Sequence, residues 1–430
     1  MKKLIPQSIK NIYHLFQAVL ANLWYSFPSR KIKVIGVTGT DGKTTTVQMI
    51  AKILEEAGKQ MAVVSTINFK IKDRGWINKT KFTTLSAWSV QKFIKDAVKA
   101  NCKYLVLETS SHSLDQYRIW GIKYDVAVIT NATREHLDYH KTMEKYRKAK
   151  RLLFKNVNTA VVNLDMEEPE YYLSCNAKEK YGYTAREQES AISDQKIKFI
   201  QARDIKLDTN KSLFTVHCSL FTINLPGLFN IENALAATCV GLSQGISLEI
   251  IKNALEKIKG IPGRLESVPN SKGINIIVDF ALTPNSLQRL YELIDNIRSN
   301  PQNIGFDPRV IAVFGACGER DRGKRPITGK IVSEHADYVI VTDDEPYHED
   351  PKRIIEEISA GIKDKIEGEN FWKIPDRREA IKKALTLART GDFVVVTGMG
   401  SEDTRAVGDQ KIPWNDKKII LEELNKLANC

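Results

Sequence analysis

The chain has 430 residues, which is more than one ordinary hydrophobic core accommodates, so we expect two or three domains. Its 42% hydrophobic and 27% charged residues are typical of a globular protein and exclude a disordered chain. The net charge of +12 favours anionic partners, but the basic residues are spread along the chain and match no nucleic-acid-binding motif, so nucleic acid is not an expected partner.

The N-terminal 30 residues form an apolar and aromatic segment that His14, Gln17 and Asn22 interrupt. The segment is too short and too polar for a transmembrane span, and no small-residue cleavage site follows it. We predict a helical extension over residues 1–30. Two interpretations stay open: a helix packed on the next domain, or a helix that lies at a membrane interface.

Apolar runs of strand length then alternate with helical patterns. "KVIGVTG" precedes a helix predicted from about Thr44 to Ala57, and "MAVVST", "YLVLETS", "YDVAVITN" and "TAVVNLD" follow. This alternation predicts an α/β fold with a mostly parallel, doubly wound sheet, to which a strand-rich segment at 198–225 is added. A second series ("INIIVDFA", "RVIAVFG", "YVIVTDD", "DFVVVTG") predicts a Rossmann-like α/β domain. The predicted domain limits are 1–30, 31–263 and 264–430.

A glycine-rich turn follows the first predicted strand, in "VIGVTGTDGKTTT" (34–46). A turn of this kind at a helix N-terminus binds phosphate: Lys43 would reach the β- and γ-phosphates, and a hydroxyl of Thr44 or Thr45 would bind Mg²⁺. Val37 stands where the strict P-loop pattern has its first glycine, so only G-x-x-G-K-T is kept. The alternative is a turn that merely tightens a strand–helix corner, for which the lysine and the threonines are superfluous.

The turn resembles the ATP loop of the Mur ligases, which usually have asparagine in place of Asp41. Later stretches resemble the muramyl-tripeptide synthetase branch, which adds the third peptide residue to UDP-MurNAc-L-Ala-D-Glu. They are "LETSSHSLDQYR" (107–118), "ITNATREHLDYHKTMEKYRKAKRLLF" (129–154), "LPGLFNIENALAA" (225–237), "GIPGRLE" (260–266) and "VFGACGERDRGKRP" (313–326). The resemblance runs from about residue 33 to the C-terminus. It implies an ATP-dependent, ADP-forming amide ligase of peptidoglycan biosynthesis, with a P-loop-type ATPase domain at 31–263 and an acyl-phosphate intermediate.

The resemblance also implies the ATP and metal sites. The implied ATP-binding residues are Gly39, Thr40, Asp41, Gly42, Lys43, Thr44, Thr45, Asn230, Asn233, Arg264 and Asp279. The implied catalytic residues are Lys43, Glu108, His136 and Lys150, and the implied Mg²⁺ ligands are Thr44, Glu108, His136 and Lys150 carbamylated by CO₂. Without the resemblance, Glu108 would be interpreted as a helix cap and His136 as a structural residue. Lys150 would be interpreted as a surface lysine. The loop "DFALTPN", which begins at Asp279, lacks the histidine that is usual in the family. This difference weakens the assignment of the loop to the nucleotide site.

Two further residue sets follow from the resemblance. The implied acceptor-binding residues are Thr83, Thr84, Ser110, Gln116 and Arg118, and the implied amino-acid-binding residues are Arg320, Glu345, Gly398 and Glu402. In "DDEPYHED" (343–350), Glu345 and Tyr347 stand where diaminopimelate-adding members have the asparagine and arginine of Asp-Asn-Pro-Arg. Because the partner of a distal carboxylate is lost, lysine or ornithine is the predicted substrate, unless this acidic loop is simply solvated.

The expected partners are a free amino acid and a muramyl-peptide acceptor. The family's UDP-binding N-terminal domain has no counterpart in residues 1–30. Three interpretations stay open: the UDP-sugar is bound differently, a partner protein binds it, or the acceptor is a related molecule such as a lipid-linked precursor at the inner face of the membrane. We expect a monomer, with peripheral membrane contact through residues 1–30. The six cysteines lack metal-ligand spacing and indicate a cytoplasmic protein.

Two other functions are alternatives to this one. The first is a folylpolyglutamate-synthetase-like ligase, against which "SSHSLDQYR" and "ERDRGKRP" count. The second is a non-catalytic nucleotide-binding homologue or subunit of a cell-wall ligase complex. Retention of the residues implied for catalysis counts against this second alternative.

Overall fold

The computed structural model describes residues 6–186, 196–299 and 307–428. The chain divides into two compact units, one of Met1–Thr133 and His140–Lys259 and another of Arg134–Tyr139 and Gly260–Cys430. The division at residue 260 lies beside the predicted boundary after residue 263.

The first unit is built on a nine-stranded sheet, with a separate three-stranded sheet. In the described ranges its strands are β1 Lys33–Thr38, β2 Met61–Val64, β3 Asn68–Ile71, β4 Arg74–Ile77, β5 Tyr104–Glu108, β6 Tyr124–Ile129, β7 Thr159–Asn163, β8 Glu179–Thr184, β9 Ile197–Gln201, β10 Arg203–Leu207, β11 Ser212–Val216 and β12 Ser219–Ile223. The large sheet has the order β4-β3-β2-β5-β1-β6-β7-β8-β9, and only the pairings of β3 and β4 are antiparallel. The predicted parallel, doubly wound sheet is therefore confirmed.

Several helices of this unit, such as the third, pack an apolar face against the sheet, whereas the first packs against the third. In chain order the helices are α1 Gln7–Tyr25, α2 Lys43–Glu56, α3 Ala87–Lys99, α4 Ser111–Asp115, α5 Leu137–His140 (whose last residue alone groups with this unit), α6 Met143–Arg151, α7 Pro169–Leu173, α8 Leu228–Ser243 and α9 Leu248–Glu256. Val90 and Ile94 of α3 join the same buried cluster as Leu105 and Leu107 of β5. Helix α2 packs against α8 and α9.

The predicted strand-rich segment at 198–225 is confirmed and divides between the two sheets. Strand β9 extends the large sheet, whereas β10, β11 and β12 form the small antiparallel one. Phe214 and Phe221 stack across β11 and β12 with ring centres 5.3 Å apart. No helix within the described residues is long and apolar enough to cross a membrane.

The second unit is a six-stranded sheet with helices and a small hairpin. Its strands are β13 Glu266–Ser267, β14 Asn275–Asp279, β15 Val310–Phe314, β16 Tyr338–Val341, β17 Phe371–Lys373, β18 Phe393–Thr397, β19 Thr404–Val407 and β20 Gln410–Pro413. Its longer helices are α10 Pro284–Arg298, α11 Arg325–His335, α12 Pro351–Ser359, α13 Arg377–Leu387 and α14 Asp416–Ala428. The sheet order is β13-β14-β18-β15-β16-β17, and β19 pairs with β20.

Successive side chains along the strands of this sheet point alternately into two separate hydrophobic cores. In β15, Val310, Ala312 and Phe314 join one buried cluster, whereas Ile311 and Val313 join the other. A parallel sheet that is covered on both faces needs such uninterrupted apolar strands. The predicted Rossmann-like second domain is therefore confirmed as an α/β fold.

Candidate active site

The glycine-rich turn at 39–42 is held from the end of the neighbouring strand β6. The Asn131 side-chain carbonyl accepts hydrogen bonds from the backbone N–H groups of Thr40 and Asp41, each at 2.9 Å. The Thr130 hydroxyl donates to the carbonyl of Asp41 at 2.6 Å. These bonds fix the backbone of the turn, which is the part of such a loop that contacts phosphate.

Helix α8 supports the other side of the turn. Gly42 has φ +80°, and a Cβ there would clash with Oδ1 of Asn233, so glycine is required at this position. Asn233 also accepts a hydrogen bond from the Thr46 hydroxyl at 3.1 Å, and Asn230 donates to the carbonyl of Pro226 at 2.8 Å. The implied contacts of Asn230 and Asn233 with ATP stay predictions.

Lys43 lies over the turn from the first position of α2. Its ammonium donates to the carbonyls of Gly39 at 3.1 Å and of Thr40 at 2.8 Å. The first turn of α2 has no acidic residue, and no side chain caps the helix. The dipole of the helix N-terminus and a nearby ammonium together favour an anion such as phosphate.

Glu108 ends strand β5, whose pairing with β1 places it opposite Val37. Its carboxylate is only 1% exposed. The Thr44 hydroxyl lies 3.1 Å from both carboxylate oxygens, and Thr66 donates to them from its N–H at 2.8 Å and from its hydroxyl at 3.0 Å. The two strands thus bring a hydroxyl of the turn and a buried carboxylate together.

Thr44 and Glu108 offer the oxygen donors that Mg²⁺ prefers. Over the described ranges, no group of three His, Cys, Asp or Glu side chains could hold a metal ion. In nucleotide sites Mg²⁺ usually takes phosphate oxygens and water besides one or two protein ligands. The buried hydroxyl and carboxylate fit that ion.

Lys150 is buried on α6 with 1% of its surface exposed, although Lys148 on the same helix is exposed. Its ammonium lies 4.4 Å from the centre of the Tyr146 ring, and the Tyr146 hydroxyl is 3.0 Å from that of Thr40. Burial, followed by the charge of Lys43, holds the pKa of Lys150 well below its usual value, although Asp41 opposes the shift. The interpretation of Lys150 as a surface lysine is therefore wrong.

His136 belongs to the segment Arg134–Tyr139, which groups with the second unit. Its backbone is left-handed, with φ 58°. The role of His136 as a metal ligand stays a prediction.

Four of the five implied acceptor residues are linked through hydrogen bonds. Thr84 accepts from the N–H of Ser110 at 3.0 Å and donates to the carbonyl of Glu108 at 3.1 Å. Arg118 donates to the carbonyl of Thr84 at 2.8 Å, and the Thr83 hydroxyl accepts from that of Thr66 at 3.3 Å. Gln116 follows as the C-terminal cap of the short helix α4.

In the second unit, Arg264 and Asp279 interact mainly with backbone and ring groups. The guanidinium of Arg264 lies 4.5 Å from the centre of the Phe280 ring and donates to the Gly263 carbonyl at 2.9 Å. The carboxylate of Asp279 accepts from the N–H groups of Leu265 and Ala281, each at 2.7 Å. Asp279 therefore supports the start of this unit, and its nucleotide contact stays a prediction.

The loop 343–350 of the second unit brings several of the implied amino-acid-binding residues together. Arg320 lies over the ring of Tyr347 at 5.8 Å, and Glu345 accepts from the N–H of Ala406 at 3.0 Å. A Cβ at Gly398 would approach the Asp344 carboxylate to 2.7 Å. Glu402 donates its backbone N–H to the carbonyl of Met399 at 3.0 Å.

Asp344 is a fully buried carboxyl in the same loop. Within the described ranges neither of its side-chain oxygens has a hydrogen-bond partner, and the guanidinium of Arg377 is 4.0 Å away. Burial raises the pKa of Asp344 to about 7, and the charge of Arg377 opposes that rise.

Thr66, Asn131 and Tyr146 lie around the turn of the first unit, and Asp344 lies in the loop 343–350 of the second unit; none of the four was predicted from the sequence. Thr66, Asn131 and Asp344 each lie within three residues of a strand's C-terminal end, where ligands bind in open α/β sheets. Polar residues at those positions are the signal that could have revealed them. Tyr146 carries no such signal, because it lies within a helix of charged residues.

Two family models match the chain in succession. The Mur ligase middle domain matches residues 37–241, and the glutamate ligase domain of Mur ligases matches residues 263–400. Together they cover more than half of the 430 residues.

Similar proteins include a UDP-N-acetylmuramoyl-L-alanyl-D-glutamate–2,6-diaminopimelate ligase from Syntrophomonas wolfei. It is 39% identical, over 95% of this chain and 81% of the relative. A UDP-N-acetylmuramyl-tripeptide synthetase from Roseiflexus is 37% identical, over 96% of this chain and 82% of the relative.

Solved structures of related ligases also match this chain. A UDP-N-acetylmuramoyl-L-alanyl-D-glutamate–2,6-diaminopimelate ligase matches with a TM-score of 0.60 and 31% identity, over 92% of this chain and 79% of that one. A folylpolyglutamate synthase from Mycobacterium tuberculosis matches with a TM-score of 0.68 over 89% of this chain and 92% of that one. At 16% identity, that second likeness shows a shared fold alone.

Proposed function

The chain belongs to the Mur ligase family, and we propose that it is an ATP-dependent, ADP-forming ligase that adds an amino acid to a muramyl-peptide precursor of peptidoglycan. The observation that carries this proposal is the grouping of Lys43, Thr44 and Glu108 at the turn. The names of the similar proteins supply the acceptor class.

The proposed reaction has two steps. A carboxylate oxygen of the acceptor attacks the γ-phosphorus of ATP, ADP leaves, and an acyl phosphate forms. The amino group of the incoming amino acid then attacks the acyl carbon, inorganic phosphate leaves, and the amine loses a proton. Negative charge accumulates at the phosphates, so the residues of the site must offset it.

The residues of the turn are suited to that task. The ammonium of Lys43 would leave its two backbone carbonyls for the phosphates, and the N–H groups of the turn and of α2 would bind phosphate oxygens. Mur ligases use Mg²⁺ with ATP, and Thr44 and Glu108 would hold that ion, which neutralises phosphate charge. Thr66 would keep the carboxylate oriented through its two hydrogen bonds.

We propose further that Lys150 carries a carbamate formed from CO₂. Burial and the nearby charge of Lys43 disfavour an ammonium at this position, although the ring of Tyr146 would favour one. A carbamate would place a negative charge beside Lys43 and supply oxygen donors for a magnesium ion. His136 is the other proposed metal ligand.

The proposed amino-acid substrate is lysine or ornithine, although several relatives are named as diaminopimelate ligases. Tyr347 lies under Arg320, and a phenol cannot pair with a distal carboxylate as a guanidinium would. Arg320, Glu345, Gly398 and Glu402 are the residues proposed to bind this amino acid. The acceptor is proposed to be held by Thr83, Thr84, Ser110, Gln116 and Arg118, and to be UDP-linked or lipid-linked.

The experiment that tests this function is an assay of ADP formation. UDP-MurNAc-L-Ala-D-Glu is supplied with ATP and Mg²⁺, and lysine, ornithine and diaminopimelate are run in parallel. We expect ADP and phosphate only when acceptor and amino acid are both present. ATP turnover in the absence of an acceptor would contradict the proposal. So would a protein that binds the nucleotide but turns over neither with a UDP-linked nor with a lipid-linked acceptor.

A further inference from the structure

Helix α1 exposes a continuous apolar face that nothing in the described chain covers. Seven side chains of this face are between 36% and 76% exposed: Ile9, Ile12, Tyr13, Phe16, Leu20, Leu23 and Trp24. At 3.6 residues per turn their positions fall within an arc of about 120° on one side of the helix. We call these seven residues the α1 apolar face. A stripe of this size on one helix marks an interaction surface.

The opposite side of α1 is firmly attached to the first unit. Ala18, Ala21 and Asn22 are buried, and the ring of Tyr25 meets that of Trp88 on α3 edge-on at 6.2 Å. The Asn22 amide donates to the carbonyl of Trp120 at 2.7 Å. The helix therefore has a fixed orientation, and its apolar face points away from the contacts that hold it.

The charges around α1 indicate what covers that face. Residues 1–40 contain six Lys and Arg (Lys2, Lys3, Lys10, Arg30, Lys31 and Lys33) and no Asp or Glu. Arg30 and Lys31, which follow the helix in the described structure, are both exposed. Two copies joined through this face would bring like charges together, whereas an anionic surface would be attracted to it.

We propose that the α1 apolar face binds the surface of a bilayer that contains anionic lipids. A helix with aromatic and aliphatic side chains on one face, in a segment (residues 1–40) that contains lysine and arginine but no Asp or Glu, is typical of helices that lie in the headgroup region. Asp115 of the first unit, to which Asn11 is hydrogen-bonded, lies against the attached side of α1. Tyr13 and Trp24 are the residue types that favour this depth.

Surface binding would also place the proposed acceptor residues near the lipid. Asn11 of α1 donates to the carbonyl of Asp115 at 3.2 Å, and Asn22 contacts Trp120, so α1 is bonded to both ends of the segment that contains Gln116 and Arg118. This second step rests on the proposed function and favours a lipid-linked acceptor. Membrane binding itself does not depend on ligase activity.

The test is co-sedimentation of the full-length protein with vesicles. Vesicles of equal parts phosphatidylcholine and phosphatidylglycerol are compared with vesicles of phosphatidylcholine alone. We expect the protein to pellet with the anionic vesicles, with an apparent affinity at least about tenfold above that for the neutral ones. The double variant Phe16→Glu/Leu23→Glu should lose this binding by about tenfold or more.

The matched control is Leu220→Glu/Ile366→Glu, which alters exposed apolar residues outside α1 and should pellet as the wild type does. Circular dichroism and thermal unfolding of each variant show whether it is folded. As a second measurement, brominated lipids should quench the fluorescence of wild type more than that of Trp24→Phe. A wild type that stays in the supernatant with anionic vesicles, or equal pelleting of Phe16→Glu/Leu23→Glu, overturns the proposal. Self-association that this variant abolishes, without vesicle binding, also overturns it and assigns the face to a second copy.

Discussion

The hydroxyl of Thr44 lies 3.1 Å from both carboxylate oxygens of Glu108, although 63 residues separate the two in the chain. Thr44 is the second residue of the helix that follows the glycine-rich turn, and Glu108 ends the neighbouring parallel strand. Parallel pairing of β1 with β5 is what brings them together. This pair is the centre of the proposed magnesium site.

Replacing Glu108 with glutamine should weaken the proposed magnesium site. Glutamine keeps the shape and one oxygen acceptor but removes the negative charge, so the Mg²⁺ concentration for half-maximal ADP formation should rise at least about tenfold. Titration of Mg²⁺ in the ADP assay measures this. Glu56→Gln, on the same unit and part of a surface ion pair, is the control. An unchanged Mg²⁺ requirement in Glu108→Gln would show that the carboxylate does not bind the metal.

Lys43→Ala should lower the rate of ADP formation by about 10²–10³. The variant removes an ammonium that is hydrogen-bonded to the turn carbonyls of Gly39 and Thr40. Lys52→Ala, on the same helix and in a partly exposed ion pair with Glu55, should keep near-normal turnover. Normal turnover in Lys43→Ala would remove this lysine from the proposed mechanism.

Lys150→Ala should abolish most of the activity, whereas Lys148→Ala, two residues away and exposed, should not. The proposed carbamate is tested directly by ¹³C NMR with labelled bicarbonate. Wild type and Lys148→Ala should show a carbamate carbon signal, and Lys150→Ala should not. A signal that persists in Lys150→Ala would place the carbamate elsewhere, and no signal in any of the three proteins would leave Lys150 without one.

Asp344→Asn should alter how stability depends on pH. Between about pH 4 and pH 7 the native state keeps the Asp344 proton, while the unfolded chain has lost it, so this group makes the wild type less stable as pH rises. The variant lacks that term, so its stability relative to wild type should increase by up to about 4 kcal/mol across this interval.

Urea unfolding at several pH values measures the difference between Asp344→Asn and wild type. Asp73→Asn, at an exposed position, is the matched control and should follow the wild-type profile. A constant difference between Asp344→Asn and wild type at all pH values would mean that Asp344 ionises normally.

The double variant Glu345→Asn/Tyr347→Arg should shift the amino-acid preference towards diaminopimelate. Arginine at 347 supplies a forked partner for a distal carboxylate, and asparagine at 345 removes a like charge. We expect the ratio of kcat/KM for diaminopimelate to that for lysine to rise at least about tenfold. The control is His348→Gln, in the same loop and half exposed, which should leave the ratio unchanged. A wild type that already prefers diaminopimelate would contradict the lysine or ornithine proposal.

Much of the architecture could be predicted from local patterns in the sequence. Strands of a sheet that is buried on both faces are rich in Val, Ile and Leu, so runs of these residues between helical segments predicted the parallel strands of both units. The glycine-rich turn could also be predicted from the sequence. The positive φ at position 42 requires glycine, and glycine followed by lysine is a recognisable local pattern.

The surroundings of each functional group were decided by tertiary structure. The stretch "MEKYRKAKR" reads as a solvated basic helix, yet Tyr146, Ala149 and Lys150 lie on its buried side. Local sequence could not show this, because burial depends on the strand ends and the turn against which α6 packs. The same holds for Thr66 and Asn131, which contact the site only where distant strands end side by side. The sequence by itself determined strands, helices and the phosphate turn through short-range patterns, whereas long-range packing decided which carboxylate, hydroxyl and amine surround that turn.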